Sequence, residues 1–186
     1  DFDGAIALRD DLSDSRGYFN CNQFHNKLNI EVHYKTTGPE IEKQFRDANS
    51  YEESWPQAFV AGTGTGGTIM GAGLYLQKQF PGCSLVAVEP AESAVMSGFQ
   101  PGLHGIQGIG DGSKFLVDLK KINDIKIVKT DCAKAVARHL AVRYGLFVGI
   151  SAGANVKAAF EWLRDNDKKT AITILCDRGE RYLSCL

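Results

Sequence analysis

Apolar residues fall into two patterns that alternate along most of the chain. Short continuous apolar runs, which are typical of strands buried on both faces, occupy residues 58–61, 84–89, 125–128 and 171–175. Between them, apolar residues recur at helical spacing over 68–80, over 130–144 and from 151 onward. Strands that alternate with helices predict an α/β fold, a mostly parallel sheet with helices on both faces.

The segment before the first buried strand has weaker signals. They predict a helix over 4–12 that breaks at 13–17, a strand over 18–24 and a polar surface loop over 47–56. Ile41 and Phe45 share one face of a further helix. Pro39 either occupies the first turn of that helix, where its missing N–H costs little, or kinks a longer helix.

The last two helices carry signals for their ends and for their buried faces. Thr130 or Asp131 is the expected N-cap of the first, and Gly145 follows its last residue. The second helix is expected to turn four apolar side chains inward, which are Val156, Ala159, Phe160 and Leu163.

The segment Gly62–Thr68 lies between the first buried strand and the helix that follows it. Its glycines would let the backbone approach a ligand closely, and the N–H groups at a helix N-terminus attract anions. Thr65 and Thr68 add hydroxyl donors suited to phosphate oxygens. This segment predicts an anion cradle, although a plain tight turn has the same spacing.

Two familiar nucleotide motifs do not match this turn. No lysine precedes Thr68, so the turn is not a P-loop, and its spacing departs from G-x-G-x-x-G. Only Glu89 approaches the position of the acidic residue that a dinucleotide site needs about 20 residues further on. The predicted ligand is phosphorylated but is not a triphosphate.

Composition and charge narrow the class of protein. The chain has 186 residues, of which 44% are apolar and 23% charged, as in an ordinary globular domain. Its net charge of −1 argues against nucleic acid or an anionic membrane as the main partner. No apolar run approaches the ~20 residues that span a bilayer, and the first residues do not resemble a signal peptide.

Cysteine and histidine usage predicts no metal site. The five cysteines form no C-x-x-C pair, and the four histidines form no H-E-x-x-H pattern. We therefore expect reduced thiols, most of them in the core of a cytoplasmic protein.

Several segments directly follow predicted strands, namely Gly62–Thr68, Ser151–Gly153 and Asp177. Because ligands gather at the carboxyl ends of parallel strands, we expect these segments to share one site. The glycine-rich segment 91–114 is longer than an ordinary loop, so we expect it to be functional too.

Motifs follow one another in a recognisable order along the chain. They are QFHN at 23–26, TTGPE at 36–40, GTGGT at 64–68, VEP at 88–90, IQGIG at 106–110, GISAG at 149–153 and GERYLS at 179–184. Together they resemble the cysteine synthase (O-acetylserine sulfhydrylase) and cystathionine β-synthase family of pyridoxal-phosphate enzymes, over nearly the whole chain. The resemblance implies the large domain of the tryptophan-synthase-β-like, or fold type II, enzymes.

The resemblance also implies a domain division and an incomplete chain. Residues 1–24 would be the tail of the smaller domain, and 25–186 most of the larger, cofactor-binding domain. The chain begins without methionine and inside a predicted helix, so we interpret it as N-terminally incomplete.

By resemblance, the residues Gly64, Thr65, Gly66, Gly67 and Thr68 bind the 5′-phosphate of pyridoxal 5′-phosphate. Gln23 is expected to orient the substrate carboxylate, and Gly108 to border the active site. A carboxylate at Asp177 would favour a protonated pyridine ring. Alternatively, Asp177 is turned away, paired with Arg178 or Arg181, and Cys176 faces the ring.

The implied reaction is β-replacement on O-acetylserine or O-phosphoserine with sulfide, giving L-cysteine. The family's Schiff-base lysine lies upstream of the matched motifs, so no catalytic residue is assigned in this chain, which would be inactive by itself. A cystathionine β-synthase or cysteine desulfhydrase relative, and a non-catalytic regulatory module, remain alternatives. Family members are usually homodimers.

Overall fold

A computed structural model describes residues 2–48 and 55–185 of the protein. Its helices are α1 (Phe2–Arg16), α2 (Leu28–Val32), α3 (Gly38–Ala48), α4 (Gly67–Gln79), α5 (Thr130–Tyr144) and α6 (Ile150–Asp165). Its strands are β1 (Ala58–Gly62), β2 (Ser84–Pro90), β3 (Asp124–Val128) and β4 (Ala171–Thr173). Short 3₁₀ turns lie at Ala91–Ser93, Leu119–Lys121 and Gly179–Tyr182.

The strands form one four-stranded parallel sheet in the order β3-β2-β1-β4. Val60 of β1 lies opposite Val86 of β2 and Thr173 of β4, which fixes the register at the centre of the sheet. The predicted α/β fold is therefore confirmed, and the carboxyl ends of all these strands lie at one edge.

Alternate residues of the central strands feed two separate cores. Phe59 and Leu85 face the layer that contains α4, where they pack with Ile69 and Leu76. Val60 and Val86 face the opposite layer, where the buried small residues of α6 meet the sheet. Both faces are covered, which explains why these strands are continuously apolar.

Pro39 lies in a stretch of helical backbone that is longer than α3 alone. A segment of π-helix over His33–Thr37 joins α2 to α3, so helical backbone runs from residue 28 to 48. Proline has no N–H to donate to a carbonyl of the preceding turn, and the π-helical segment lies where that bond is missing. Of the two alternatives, the structure adopts the longer helix, with a π-helical segment just before Pro39.

Three expectations for local structure were wrong. Residues 18–24 form no strand; Phe19 in this segment is 90% exposed. Helix α1 does not break at 13 but continues to Arg16, and Gly17 ends it with a φ of +67°. Phe160 is 69% exposed instead of inward, because α6 packs through its small residues. The predicted loop over 47–56 lies mostly outside the described residues, and its first two residues end α3.

The N-terminus of α5 is also capped differently from the prediction. Neither Thr130 nor Asp131 is the N-cap; the helix follows Lys129, which makes no side-chain cap. Instead, Glu92 Oε1 accepts a hydrogen bond from the Thr130 N–H at 2.9 Å. Gly145 does end the helix as expected, with a φ of +69°.

Candidate functional site

A cleft of about 600 Å³ opens at the carboxyl edge of the sheet, beside β1 and the N-terminus of α6. A volume of this order suits a cofactor-sized ligand. All the predicted site residues line it, namely Gln23, Gly64, Thr65, Gly66, Gly67, Thr68, Gly108 and Asp177. Ser151 also lines it, so the three segments expected to share a site do so. Gly153 instead packs α6 on α5, since a Cβ there would lie 2.2 Å from the Ala133 carbonyl oxygen.

The glycine turn is packed so closely that side chains are excluded. A Cβ on Gly67 would lie 1.9 Å from Asn29 Oδ1, and one on Gly64 would lie 2.6 Å from the Gly108 carbonyl oxygen. Gly66 has a φ of +87°, and its Cβ would lie 2.5 Å from a methyl group of Val117. These positions require glycine for close approach and, at Gly66, for a left-handed backbone.

Asn29 connects this turn to the predicted substrate segment. Its Nδ2 donates to Thr65 Oγ1 and to the Gln23 carbonyl oxygen, each at 3.1 Å. The Gly67 N–H also donates to Thr65 Oγ1, at 3.2 Å. With both lone pairs engaged, the Thr65 hydroxyl can use its proton to donate to a ligand. Asn29 belongs to no local motif of the turn, so the sequence gives no sign of this contact.

His33 supports the second threonine of the turn. Its Nε2 lies 3.4 Å from Thr68 Oγ1, and its Nδ1 lies 2.9 Å from Thr37 Oγ1. Burial lowers the pKa of His33 below its ordinary value, which favours a neutral ring that shares hydrogen bonds with two hydroxyls. The sequence gives a helical position for this histidine but no sign of its contact with Thr68.

The long loop after β2 folds back over the glycine turn. Within it, the Gly110 N–H donates to the Thr63 carbonyl oxygen at 2.9 Å, and the Leu116 N–H to that of Thr65 at 3.0 Å. The loop thereby brings Gly108 and Asp111 to the cleft.

Buried Glu89 holds the start of that loop. Its carboxylate accepts hydrogen bonds from the backbone N–H groups of Met96 and Ser97, at 2.8 and 3.0 Å. It is therefore engaged in structure, and this excludes Glu89 as the ribose-binding acid of a dinucleotide site.

Side chains dominate the opposite end of the cleft. The Tyr182 hydroxyl donates to Asp177 Oδ2 at 2.5 Å, and its burial, together with that bond, raises the pKa of Tyr182 to about 12. Asp177 Oδ1 is buried against Gly149 and has no hydrogen-bond partner among the described residues. Arg178 pairs with Glu180 at 2.6 Å. Among the described residues, Asp177 therefore bonds Tyr182 and not an arginine, and which of Asp177 and Cys176 faces the ring stays a prediction.

Cys176 lies next to this pair, on the wall of the cleft. Asn155 Nδ2 lies 3.6 Å from its Sγ and also donates to the Ile174 carbonyl oxygen at 2.9 Å. The thiol is exposed to the cleft, yet protein atoms surround it and raise its pKa by desolvation. Together with the buried Ser151, it gives this end two neutral polar groups.

The cysteines and the acidic side chains form no metal centre in the part of the chain that the structure describes. All five cysteines are free, but only Cys83 is buried, so the expectation that most lie in the core was wrong. Cys132 and Cys185 pack half-buried against the core, and Cys21 and Cys176 are exposed. Across the described residues, every helix is too short or too polar to cross a membrane.

Comparison with known proteins adds a family to this geometry. A family model described as pyridoxal-phosphate dependent enzyme matches residues 1–177. Cysteine synthase of Staphylococcus aureus (strain N315) is 42% identical over 185 residues, which cover 97% of this chain and 57% of that protein. The chain thus spans a little over half the length of this curated relative.

Solved structures show the same similarity. O-acetyl serine sulfhydrylase isoform 3 from Entamoeba histolytica superposes with a TM-score of 0.85 at 38% identity, covering 97% of this chain and 53% of that one. A hydrogen sulfide-producing enzyme from Fusobacterium nucleatum gives a TM-score of 0.85 at 31% identity, with the same coverage of 97% and 53%.

Proposed function

This chain belongs to the family of pyridoxal-phosphate-dependent enzymes, and from that premise we propose that it forms the phosphate-binding wall of such an enzyme's active site. The glycine turn carries this proposal. Gly64, Gly66 and Gly67 are each packed where a Cβ would clash, at the N-terminus of α4. A backbone cradle of this kind binds phosphate through N–H groups and the helix dipole.

The residues of the cleft fit the cofactor. Gly66–Thr68 would hold the 5′-phosphate, with hydroxyl donors from Thr65 and Thr68. At the other end of the cleft, Ser151 and Cys176 present neutral polar groups to the ring. Asp177 can reach the ring nitrogen only if its bond to Tyr182 opens, because its second oxygen is buried.

We assign substrate contacts to the loops beside the cradle. The Gln23 side chain is exposed on the cleft wall and makes no hydrogen bond to the described residues, so its amide is available to a substrate carboxylate. Gly108 has a φ of +89° and nothing within 4 Å of its Cβ position. A side chain there would project into open space, where the substrate is expected.

When bound, pyridoxal phosphate supplies an electron sink for proton removal at the substrate Cα. We propose that the complete protein replaces the β-substituent of a serine derivative, O-acetylserine or O-phosphoserine, with sulfide to give L-cysteine. No lysine lies among the described residues that line the cleft. We infer that the Schiff-base lysine comes from another part of a longer protein and that these residues alone are inactive.

We also propose a domain division, an oligomeric state and a cellular location for the complete protein. Residues 1–24 would belong to a smaller domain and 25–186 to the larger one, and the complete enzyme would be a homodimer. A cytoplasmic location is a prediction from the cysteine pattern.

The experiment is to express the complete protein, load it with pyridoxal phosphate, and identify by mass spectrometry what it makes from each serine derivative and sulfide. Cysteine formation supports the proposal. Sulfide released from cysteine, without cysteine synthesis, would favour hydrogen sulfide production, as in the Fusobacterium nucleatum enzyme. No turnover and no cofactor absorbance would favour a non-catalytic module.

A further inference from the structure

One ionisable group of the cleft has no role in the proposed function. Asp111, in the long loop after β2, is half-buried and lines the cleft. Its Oδ2 lies 3.1 Å from where a Cβ on Gly64 would be, so the carboxylate packs against the first glycine of the cradle. No hydrogen bond or ion pair to Asp111 is formed by the described residues, although His104 interacts with it electrostatically.

The charges around Asp111 do not neutralise it. The other charged residues of the cleft wall are Asp177 and Arg181, and Asp177 is engaged by Tyr182. Arg181 is exposed, so solvent screens its charge. His104 lies behind the loop, with its Nε2 at 3.1 Å from the Gly110 carbonyl oxygen. The other titratable groups that face the cleft are the Cys176 thiol and the Tyr182 hydroxyl, and the pKa of each is raised.

We propose that Asp111 determines substrate specificity: its carboxylate selects amino acids with an uncharged β-substituent, such as an acyl ester, and disfavours those that carry phosphate there. The inference rests on the proposed function. Asp111 packs at the strand end of the predicted cradle, beside Gly64, whereas Gly66–Thr68 lie at its helix end. A cofactor phosphate held mainly at the helix end would therefore experience less of this repulsion. The α-carboxylate is common to all these substrates, so its repulsion cancels in the comparison.

The charges of the two β-substituents determine how strongly Asp111 discriminates between the substrates. A phosphate monoester carries about −1.5 to −2 charges at pH 7, whereas an acetyl ester carries none. Like charges brought together in a partly desolvated cleft weaken binding by roughly tenfold to hundredfold.

The burial of Asp111 determines how the discrimination between the two substrates changes with pH. Desolvation raises the pKa of Asp111, and the charge of His104 opposes that shift only in part. Acidification therefore neutralises Asp111 at a higher pH than an exposed aspartate, and the discrimination should shrink as the pH falls. The phosphate itself also takes up a proton near pH 6, so the change must be read against a variant that lacks the carboxylate.

The test uses the complete protein loaded with pyridoxal phosphate and measures dissociation constants for O-acetylserine and O-phosphoserine from the cofactor absorbance. Asp111→Asn should lower the ratio of the O-phosphoserine to the O-acetylserine dissociation constant by about tenfold or more. Asp111→Glu, which keeps the charge, should retain the discrimination. Asp14→Asn makes the same change at an exposed position of α1 and should alter neither constant.

The outcomes separate this inference from the proposed function. Suppose that wild type binds both amino acids and that the ratio of their dissociation constants is the same in Asp111→Asn. The specificity role of Asp111 is then wrong, and the proposed function stands. If wild type binds neither amino acid, the proposed function fails and the inference fails with it. A ratio that depends on pH equally in wild type and in Asp111→Asn would also contradict the role of Asp111.

Discussion

At the cradle end of the cleft the ligand-facing surface is backbone, whereas at the opposite end it is side chains. Gly66 and Gly67 leave no room for a side chain, and Asn29 fixes the turn from behind. At the other end, Asp177 and Tyr182 engage each other. The cradle is therefore already shaped for an anion, while the other end must exchange an internal hydrogen bond before its carboxylate can serve a ligand.

Because of this difference, we expect substitutions to be tolerated less well in the cradle than at the other end of the cleft. Adding one carbon there displaces packed atoms, which costs more than removing one hydroxyl at the far end. The following predictions test that ranking, from the largest expected effect to the smallest.

Gly66→Ala should weaken the binding of a phosphorylated pyridoxal compound by about a hundredfold or more, because the new Cβ meets Val117 at 2.5 Å and the backbone is left-handed. Isothermal titration of the purified protein measures this. Gly82→Ala is the matched control, since Gly82 has a φ of +91° but nothing within 4 Å of its Cβ position. Equal losses in both variants would mean that backbone strain, and not the cradle, sets the affinity.

Tyr182→Phe should lower the free energy of unfolding by about 1–3 kcal/mol, because it leaves the buried Asp177 carboxylate without its donor. Urea denaturation measures the change. Tyr75→Phe removes a similar hydroxyl, which donates to Glu42 at 2.6 Å, but Glu42 also accepts from Arg46. This control should cost no more than about 1 kcal/mol. If Tyr182→Phe lowers the free energy of unfolding no more than Tyr75→Phe does, our description of Asp177 as dependent on Tyr182 is wrong.

His33 should give the protein a small, predictable pH dependence. Burial lowers the pKa of folded His33 below its ordinary value of 6.5, so the unfolded chain binds its proton first as the pH falls. Stability should therefore rise as the pH increases through the range just below 6.5. His33→Gln should flatten this slope, and the same change at exposed His139 should not. An unchanged slope in His33→Gln would exclude His33 as its source.

Local sequence predicted the elements that local physics determines. Continuous apolar runs identified β1 and β2 because both of their faces are buried, and the glycine turn was identified because its backbone needs those glycines. The strand expected over 18–24 does not form, because a strand needs a hydrogen-bonding neighbour and no described strand pairs with that segment. The prediction that Phe160 faces inward was wrong because tertiary packing, and not helical spacing alone, determines which face of α6 is buried.

The candidate site was predictable to a similar extent. The cradle and the loop residue Gly108 follow from glycine spacing and motif order. Asn29 and His33 could not be found in this way, since each contacts a threonine of the turn more than thirty positions away in sequence. Their partners become visible only when the chain is folded.

The most direct test of the account is whether these residues bind a phosphorylated pyridine ligand through its phosphate. Pyridoxine 5′-phosphate is a suitable probe because it lacks the aldehyde and cannot form Schiff bases with surface lysines. Titration of the purified chain, followed by ³¹P NMR and calorimetry, should show binding that pyridoxine without phosphate does not reproduce. Gly66→Ala should weaken this binding by about a hundredfold or more, and Gly82→Ala should retain it. Equal binding of pyridoxine and its phosphate, or an affinity that Gly66→Ala leaves unchanged, would contradict the assignment of the cradle.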